Sequence, residues 1–371
     1  AGARSMLVEG ANVISSTLGA GRGGSISVSA PSLQLFAPAI LSSSLAAALP
    51  GNVTIDGGVI EISGGSYGTS PGLRSDSGAL VINATTSLVA EGGFFTATSS
   101  SERGAGSITI RSPRVLMSQG SIRADNFGDG GAGMVLIESG NLTLDRMTIG
   151  VEANGDPGDR VGLIRLKSTG DLTLNISEIT SNTNKRASAG IVEITGKDVQ
   201  LLDSRVRSDT IGLATGDAGS VSVKADTLLI SNGLVTSSSD SAGAAGDVVV
   251  QARIIALDTS AAIRSDALDS GDAGSVSVTA GSLSLREGSA ITSRSQSGTG
   301  DAGEVTVVAD SVSLADARIS SGTDTVGAGG TVTLKVGQLL LDGARRGFTF
   351  ITSETTGGGN AGGVTSDANS L

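Results

Sequence analysis

One small motif recurs along this chain and constrains its fold before any other feature: a glycine followed at two residues, and usually again at four, by Val, Ile or Leu. Copies begin at Gly24, Gly51, Gly78, Gly106, Gly133, Gly162, Gly190, Gly219, Gly246, Gly274, Gly303, Gly330 and Gly362, and eleven of the twelve steps are 27 to 29 residues. A period of this length belongs to solenoids and arrays, not to a closed globule. Each repeat carries two further apolar stations. One lies about nine and eleven residues past the glycine, as in Leu142 and Leu144 or Leu283 and Leu285; the other lies about sixteen past it, as in Ile122, Val206, Val235 and Ile319, usually with Ser two residues later.

All three stations alternate with period two, which predicts strands and excludes helix. Three short strands per coil, each paired with its equivalent one coil on, predict an all-β fold: a single right-handed parallel β-helix, or β-solenoid, of about 13 coils of about 28 residues. At a strand spacing of about 4.8 Å the array makes a rod roughly 60 Å long. The anchor glycine reads as a corner residue that reaches positive φ without strain, the corner being written Gly216-Asp217-Ala218-Gly219 and again Gly271-Asp272-Ala273-Gly274.

Composition fits a narrow interior. There are 56 Gly, no Trp, one Tyr and 2% aromatic residues, while 38% of the chain is still hydrophobic, enough apolar surface to offset the entropy of ordering. A net charge of −11 repels phosphate backbones and argues against a nucleic-acid partner. The chain has no Cys and no His, so disulfides, thiol chemistry and imidazole catalysis are absent from its repertoire. No apolar run is long enough to cross a bilayer, and any export signal is expected outside this stretch.

The stretch Gly271-Asp-Ala-Gly-Ser-Val-Ser-Val-Thr-Ala-Gly-Ser-Leu-Ser-Leu-Arg-Glu-Gly-Ser-Ala-Ile-Thr-Ser293, with its next copy from Gly300, resembles the central β-helix of filamentous-haemagglutinin-like exoproteins of the two-partner secretion pathway in Gram-negative bacteria. The resemblance covers roughly residues 10 to 371. It implies a right-handed parallel β-helix, an outer-membrane secretion partner, an extracellular or bacterial cell-surface location, and a role in adhesion or a biofilm matrix. The family's secretion domain has no evident counterpart here, and the chain stops inside a fresh repeat at Gly362-Gly363-Val364-Thr365. The expected organisation is therefore one continuous array over 1–371, a fragment of a longer chain, with irregular segments at 36–50 and 341–351.

Function on this reading is that of a structural shaft of an extracellular fibre or adhesin, with no catalytic residues and no cofactor; a polysaccharide-binding or polysaccharide-degrading β-helix is the alternative. The expected partners are other copies of the chain, end to end or laterally, and a surface glycan or protein. Asp272 and Asp301, on neighbouring coils, are the candidate Ca²⁺ ligands, against a turn-capping role for them and for Asp217. The column Ser181, Ser208, Ser237, Ser265, Ser293, Ser321 and Ser353 reads as hydroxyls bonding up a ladder. Arg74-Ser75-Asp76, Arg207-Ser208-Asp209 and Arg264-Ser265-Asp266 read as surface ion pairs. Met134, Leu136, Leu163 and Ile191 occupy outward positions and are candidate interface residues unless a register shift buries them. The insertion carrying Arg345, Arg346, Phe348 and Phe350 is a candidate glycan or partner contact, against an irregular corner with a phenylalanine tucked inward. Asn52, Asn83, Asn141 and Asn175 each begin a glycosylation triplet, a motif frequent by chance in a chain this rich in Ser and Thr.

Overall fold

A computed structural model of the chain describes all residues except 1–3, 19–21, 45–48, 71–76, 101, 103, 156–160, 213, 344–347 and 371, with the side chains of 70, 369 and 370 also outside the description. The fold is all-β, a parallel β-solenoid of about 12 turns of about 28 residues with its strands in two sheets. Chain contacts divide it into two compact units, residues 1–181 with 185–190, and residues 182–184 with 191–371. In the first unit Ile26–Phe36, Val53–Ser63, Ala79–Glu91, Ser107–Ser118 and Met134–Asp145 stack in chain order in one sheet. Ala39–Ser44, Ser66–Ser70, Phe94–Ala97, Ser121–Arg123 and Thr148–Ala153 stack in the other. The second unit repeats the arrangement with Val221–Ser231, Val248–Asp258, Val276–Arg286, Val305–Ala315 and Val332–Asp342 in one sheet. Arg205–Thr210, Leu234–Ser239, Ala262–Ala267, Ala290–Ser295, Arg318–Thr323 and Phe350–Thr355 form its partner.

The three strands expected per coil resolve into two. The first two run on as one bent strand, because the hydrogen-bonded ladder crosses the bend with the loss of a single residue pair: Ala252 pairs with Ala280 and Ile254 with Ser282, leaving out Arg253 and Gly281. The bend is needed because the inward stations Val278 and Leu283 are an odd number of residues apart, and both are buried. Pro31 and Pro113 occupy this same skipped position, where a missing N–H costs no ladder bond. Among the described residues, Leu163–Ser168 with Leu172–Asn175, and Ile191–Thr195 with Asp198–Leu202, remain separate strands.

Segment 36–50, expected to be irregular, contains the regular strand Ala39–Ser44, paired on both sides, with Ile40 fully buried in the inward column. In segment 341–351, strand Val332–Asp342 reaches into the start and strand Phe350–Thr355 into the end. Rings do enter the core at one place. Tyr67 and Phe95, on adjacent coils, stack at 5.2 Å between centroids and are fully buried, and Gly93 makes the room, since a Cβ there would strike the Phe95 ring.

The anchor glycines do not serve positive φ, for none of them adopts it. They serve close approach. A Cβ on Gly246, Gly274, Gly303 or Gly330 would fall within 3.0 Å of the carbonyl oxygen of the anchor one coil back, and Gly271, Gly300 and Gly327 form a second column of the same kind. Positive φ belongs instead to the opposite corner, between the long and short strands, at Ala37, Gln119, Arg146, Ile176, Asp203, Asn232, Thr259, Glu287 and Asp316. Ile176, at φ 47° and half exposed, is strained there, as is Thr259 at φ 51°, because a β-branched side chain is least tolerant of the left-handed region. Ile176→Asn is expected to raise stability by about 1 kcal/mol, read as an upward shift of the denaturant midpoint with unchanged slope.

Candidate functional site

Gly219, Gly246 and Gly274 tie the serine column to the corner. Ser237 Oγ donates to the Gly219 carbonyl at 2.8 Å and accepts the Gly246 N–H at 2.8 Å. Ser265 links Gly246 to Gly274 and Ser293 links Gly274 to Gly303 in the same way, every distance 2.9 Å. The hydroxyls do not bond to one another as the ladder reading expects. Ser237, Ser265 and Ser293 each close their own coil onto its anchor carbonyl and reach the N–H of the next anchor, so a buried hydroxyl satisfies two backbone groups that the ladder leaves free. Where alanine fills the column, at Ala97 and Ala124, the anchor N–H turns to that residue's backbone carbonyl.

The corner aspartates work in the same direction. Ala244 N–H donates to Asp217 Oδ1 at 2.9 Å, Asp301 N–H to Asp272 Oδ1 at 2.8 Å, and Ala328 N–H to Asp301 Oδ1 at 2.6 Å. Each carboxylate thus caps the following coil. Among the described residues no group of three or more acidic side chains is placed to hold a metal ion.

Met134 is exposed and Leu136 and Leu163 half-exposed, while their neighbours Val135, Ile137, Ile164 and Leu166 are fully buried. The outward register is therefore the one read from the sequence, and Met134 pairs directly with Leu163. Ile191 is half-exposed beside buried Val192. Phe348 and Phe350 are both exposed, at 69% and 38%, and not tucked inward; Arg345 and Arg346 lie outside the described residues, as does Arg74-Ser75-Asp76.

The two described Arg-Ser-Asp segments, Arg207-Ser208-Asp209 and Arg264-Ser265-Asp266, are not pairs held wholly at the surface. Ser in the middle points inward, so Arg and Asp both point out, yet the aspartates are buried: Asp209 meets Arg207 at 3.2 Å and Asp266 meets Arg264 at 3.1 Å. Asp125, with Arg123, repeats the arrangement in the first unit. Burial outweighs the arginines and pushes Asp209 up to about 7 and Asp125 up to about 6, and Asp266 moves in the same direction for the same reason. A carboxyl whose folded pKa is raised binds its proton more tightly in the folded state. Stability is then highest in acid and falls as pH rises from about 4 to about 7, by at most about 1.4 kcal/mol per pH unit per group. Asp209→Asn, which keeps an oxygen for the Ser238 N–H, is expected to flatten that slope in urea melts taken across this range.

Arg264, Arg294 and Arg318, on three successive coils, converge on Asp266. They line a shallow groove of about 190 Å³ together with Thr292, Ser320 and Phe350. A larger groove of about 850 Å³ runs past the opposite corner of the same unit, lined by Arg286, Glu287, Ser313, Asp316, Leu340 and Asp342. Sequence reading missed both. Each arginine of the first groove comes from a different repeat, and only the stacking register, for example Arg318 opposite Phe350, brings them together. No protein-family model, no curated protein and no solved structure matches this chain.

Proposed function

We propose that the chain is a segment of the structural shaft of an extracellular or cell-surface fibre, acting by adhesion or by self-assembly into filaments. The observation that carries the reading is that the second unit spends its polar groups on joining one coil to the next: glycine columns allow the approach, serines close the corners, and corner aspartates cap the following coil. Such bonding stiffens a stack along its axis, which a shaft requires and a catalytic cleft does not. The resemblance to filamentous-haemagglutinin-like exoproteins points the same way and brings with it export through an outer-membrane partner. Other copies of the chain are its first expected partners. Sedimentation velocity over a hundredfold concentration range, with micrographs of the same samples, tests the assembly: growth into filaments supports it, and a monomer at every concentration refutes it.

The groove containing Glu287, Asp316 and Asp342 favours a second reading, a polysaccharide-binding or polysaccharide-degrading β-helix, since carboxylates from successive coils are placed along one concavity. Release of reducing ends from a panel of polysaccharides distinguishes it, and none is expected from a shaft.

A further inference from the structure

We infer that the groove floored by Thr292 and Ser320 is a subsite for one residue of a neutral hexose polymer. Its shape comes from the alternation of the short strands. Ile319 and Ser321 point inward and are fully buried, so Arg318, Ser320 and Gly322 face outward. Thr292 lies beside Ser320 on the coil before, and Phe350 beside Arg318 on the coil after. Small residues therefore make the floor and long ones the rim. Gly322 carries no Cβ, and one placed there would meet Glu354 Cγ at 2.9 Å, so the Glu354 side chain lies close across it.

Charge on the rim is balanced, with Arg264, Arg294 and Arg318 standing against Asp266, Asp324 and Glu354. Arg264 is paired with Asp266 and Arg294 with Asp324, while Arg318 and Glu354 make no ion pair among the described residues. Such a rim favours neither an anion nor a cation. What it offers is planar donors and planar acceptors side by side, which suits the hydroxyls of a sugar because each one both donates and accepts. The Thr292 and Ser320 hydroxyls add partners from the floor. Phe350 supplies the apolar half of the recognition: its ring is 38% exposed, and a flat aromatic face packs against the C–H face of a pyranose. At about 190 Å³ the groove is smaller than the roughly 300–1,000 Å³ that encloses a drug-sized ligand, so it takes one ring and leaves the rest of the polymer outside. A peptide lacks the ring of hydroxyls, and an acidic sugar brings a carboxylate up to Asp324 and Glu354.

The inference rests on the polysaccharide-binding half of the second reading and assigns it to the smaller groove; it needs no filament, so the sedimentation result does not bear on it. The test is calorimetric titration of the whole chain with galactan, mannan and glucan oligosaccharides, with oligogalacturonate and polyglutamate as charged comparisons. At least one neutral oligomer is expected to bind more tightly than either anion. Its affinity should change less than about twofold between about 0.05 and about 0.5 M salt, since screening acts on charges. Phe350→Ala and Ser320→Val are each expected to weaken it roughly tenfold or more. Lys224→Gln, exposed on the sheet of long strands, is expected to leave it unchanged, and thermal midpoints establish that each variant is folded. Absence of binding by every neutral oligomer, tighter binding of an anion, a steep salt dependence, or wild-type affinity in both groove variants overturns the proposal. Affinity lost in Glu287→Gln and kept in Phe350→Ala would put the sugar in the larger groove, supporting the second reading and overturning this inference.

Discussion

Gly303→Ala is expected to destabilise the second unit by about 3 kcal/mol or more. The added methyl falls on the carbonyl oxygen of Gly274 in the coil below. Backbone meets backbone here, so no side chain can turn aside to relieve the overlap. The Gly303 N–H is held by Ser293 and its carbonyl by Ser321, which prevents the anchor from shifting without breaking both bonds. Stacked repeats depend on their neighbours for stability, and the defect should spread to the flanking coils. Hydrogen exchange is the measurement of choice: amides of Val276–Arg286 and Val305–Ala315 should lose protection first. Gly363→Ala is the matched control, because a Cβ there meets nothing within 4 Å, and its effect is expected to stay within about 0.5 kcal/mol. Equal effects from the two substitutions would refute the close-approach account of the anchor column.

Removing a serine hydroxyl should cost nearly as much. Ser265→Ala leaves the Gly246 carbonyl and the Gly274 N–H without their partner in a dry interior, at about 1–3 kcal/mol for each orphaned group. Ser265→Thr keeps the hydroxyl and is expected to recover part of the loss; Thr69, in the equivalent place, bonds the carbonyl of the following anchor, Gly78, at 3.0 Å. Ala97 and Ala124 indicate how the alanine variant can relax: the anchor N–H moves to a backbone carbonyl, and the strands there, Phe94–Ala97 and Ser121–Arg123, are shorter than the six residues of Ala262–Ala267. Chemical denaturation of the three proteins checks the order, wild type above Thr above Ala. A stability for Ser265→Ala equal to wild type would show that the hydroxyl adds nothing to the corner.

Repeat length, strand positions and the inward set of aliphatic residues were legible in the residues alone, because each depends on local alternation and on a period that the glycines mark. The capping by Asp217, Asp272 and Asp301 was also legible, since it needs only an acceptor at a corner, whereas the outward register of Met134, Leu136 and Leu163 stood open against a register shift until the strand pairing was seen. What the glycines do was not. A conserved spacing cannot distinguish a residue needed for positive φ from one needed for close approach, and the non-glycine residues Ala37, Gln119 and Ile176 at the strained corner carry no local mark.

The same limit explains the sites. Arg264, Arg294 and Arg318 stand in three repeats, and nothing within any one repeat announces that they meet; likewise Ser265 bonds Gly246 and Gly274 across separations of many residues. Period and composition by themselves determined that this chain folds as an all-β solenoid, since a pattern of inward aliphatics every second residue, repeated every 27 to 29 residues, buries its apolar surface only by stacking coil on coil. The tertiary structure alone decided that strands merge across the bend, that aspartates beside exposed arginines are buried, and that three arginines share one groove. These depend on which residue of one coil lies over which of the next, a matter of register and through-space distance that local sequence does not encode.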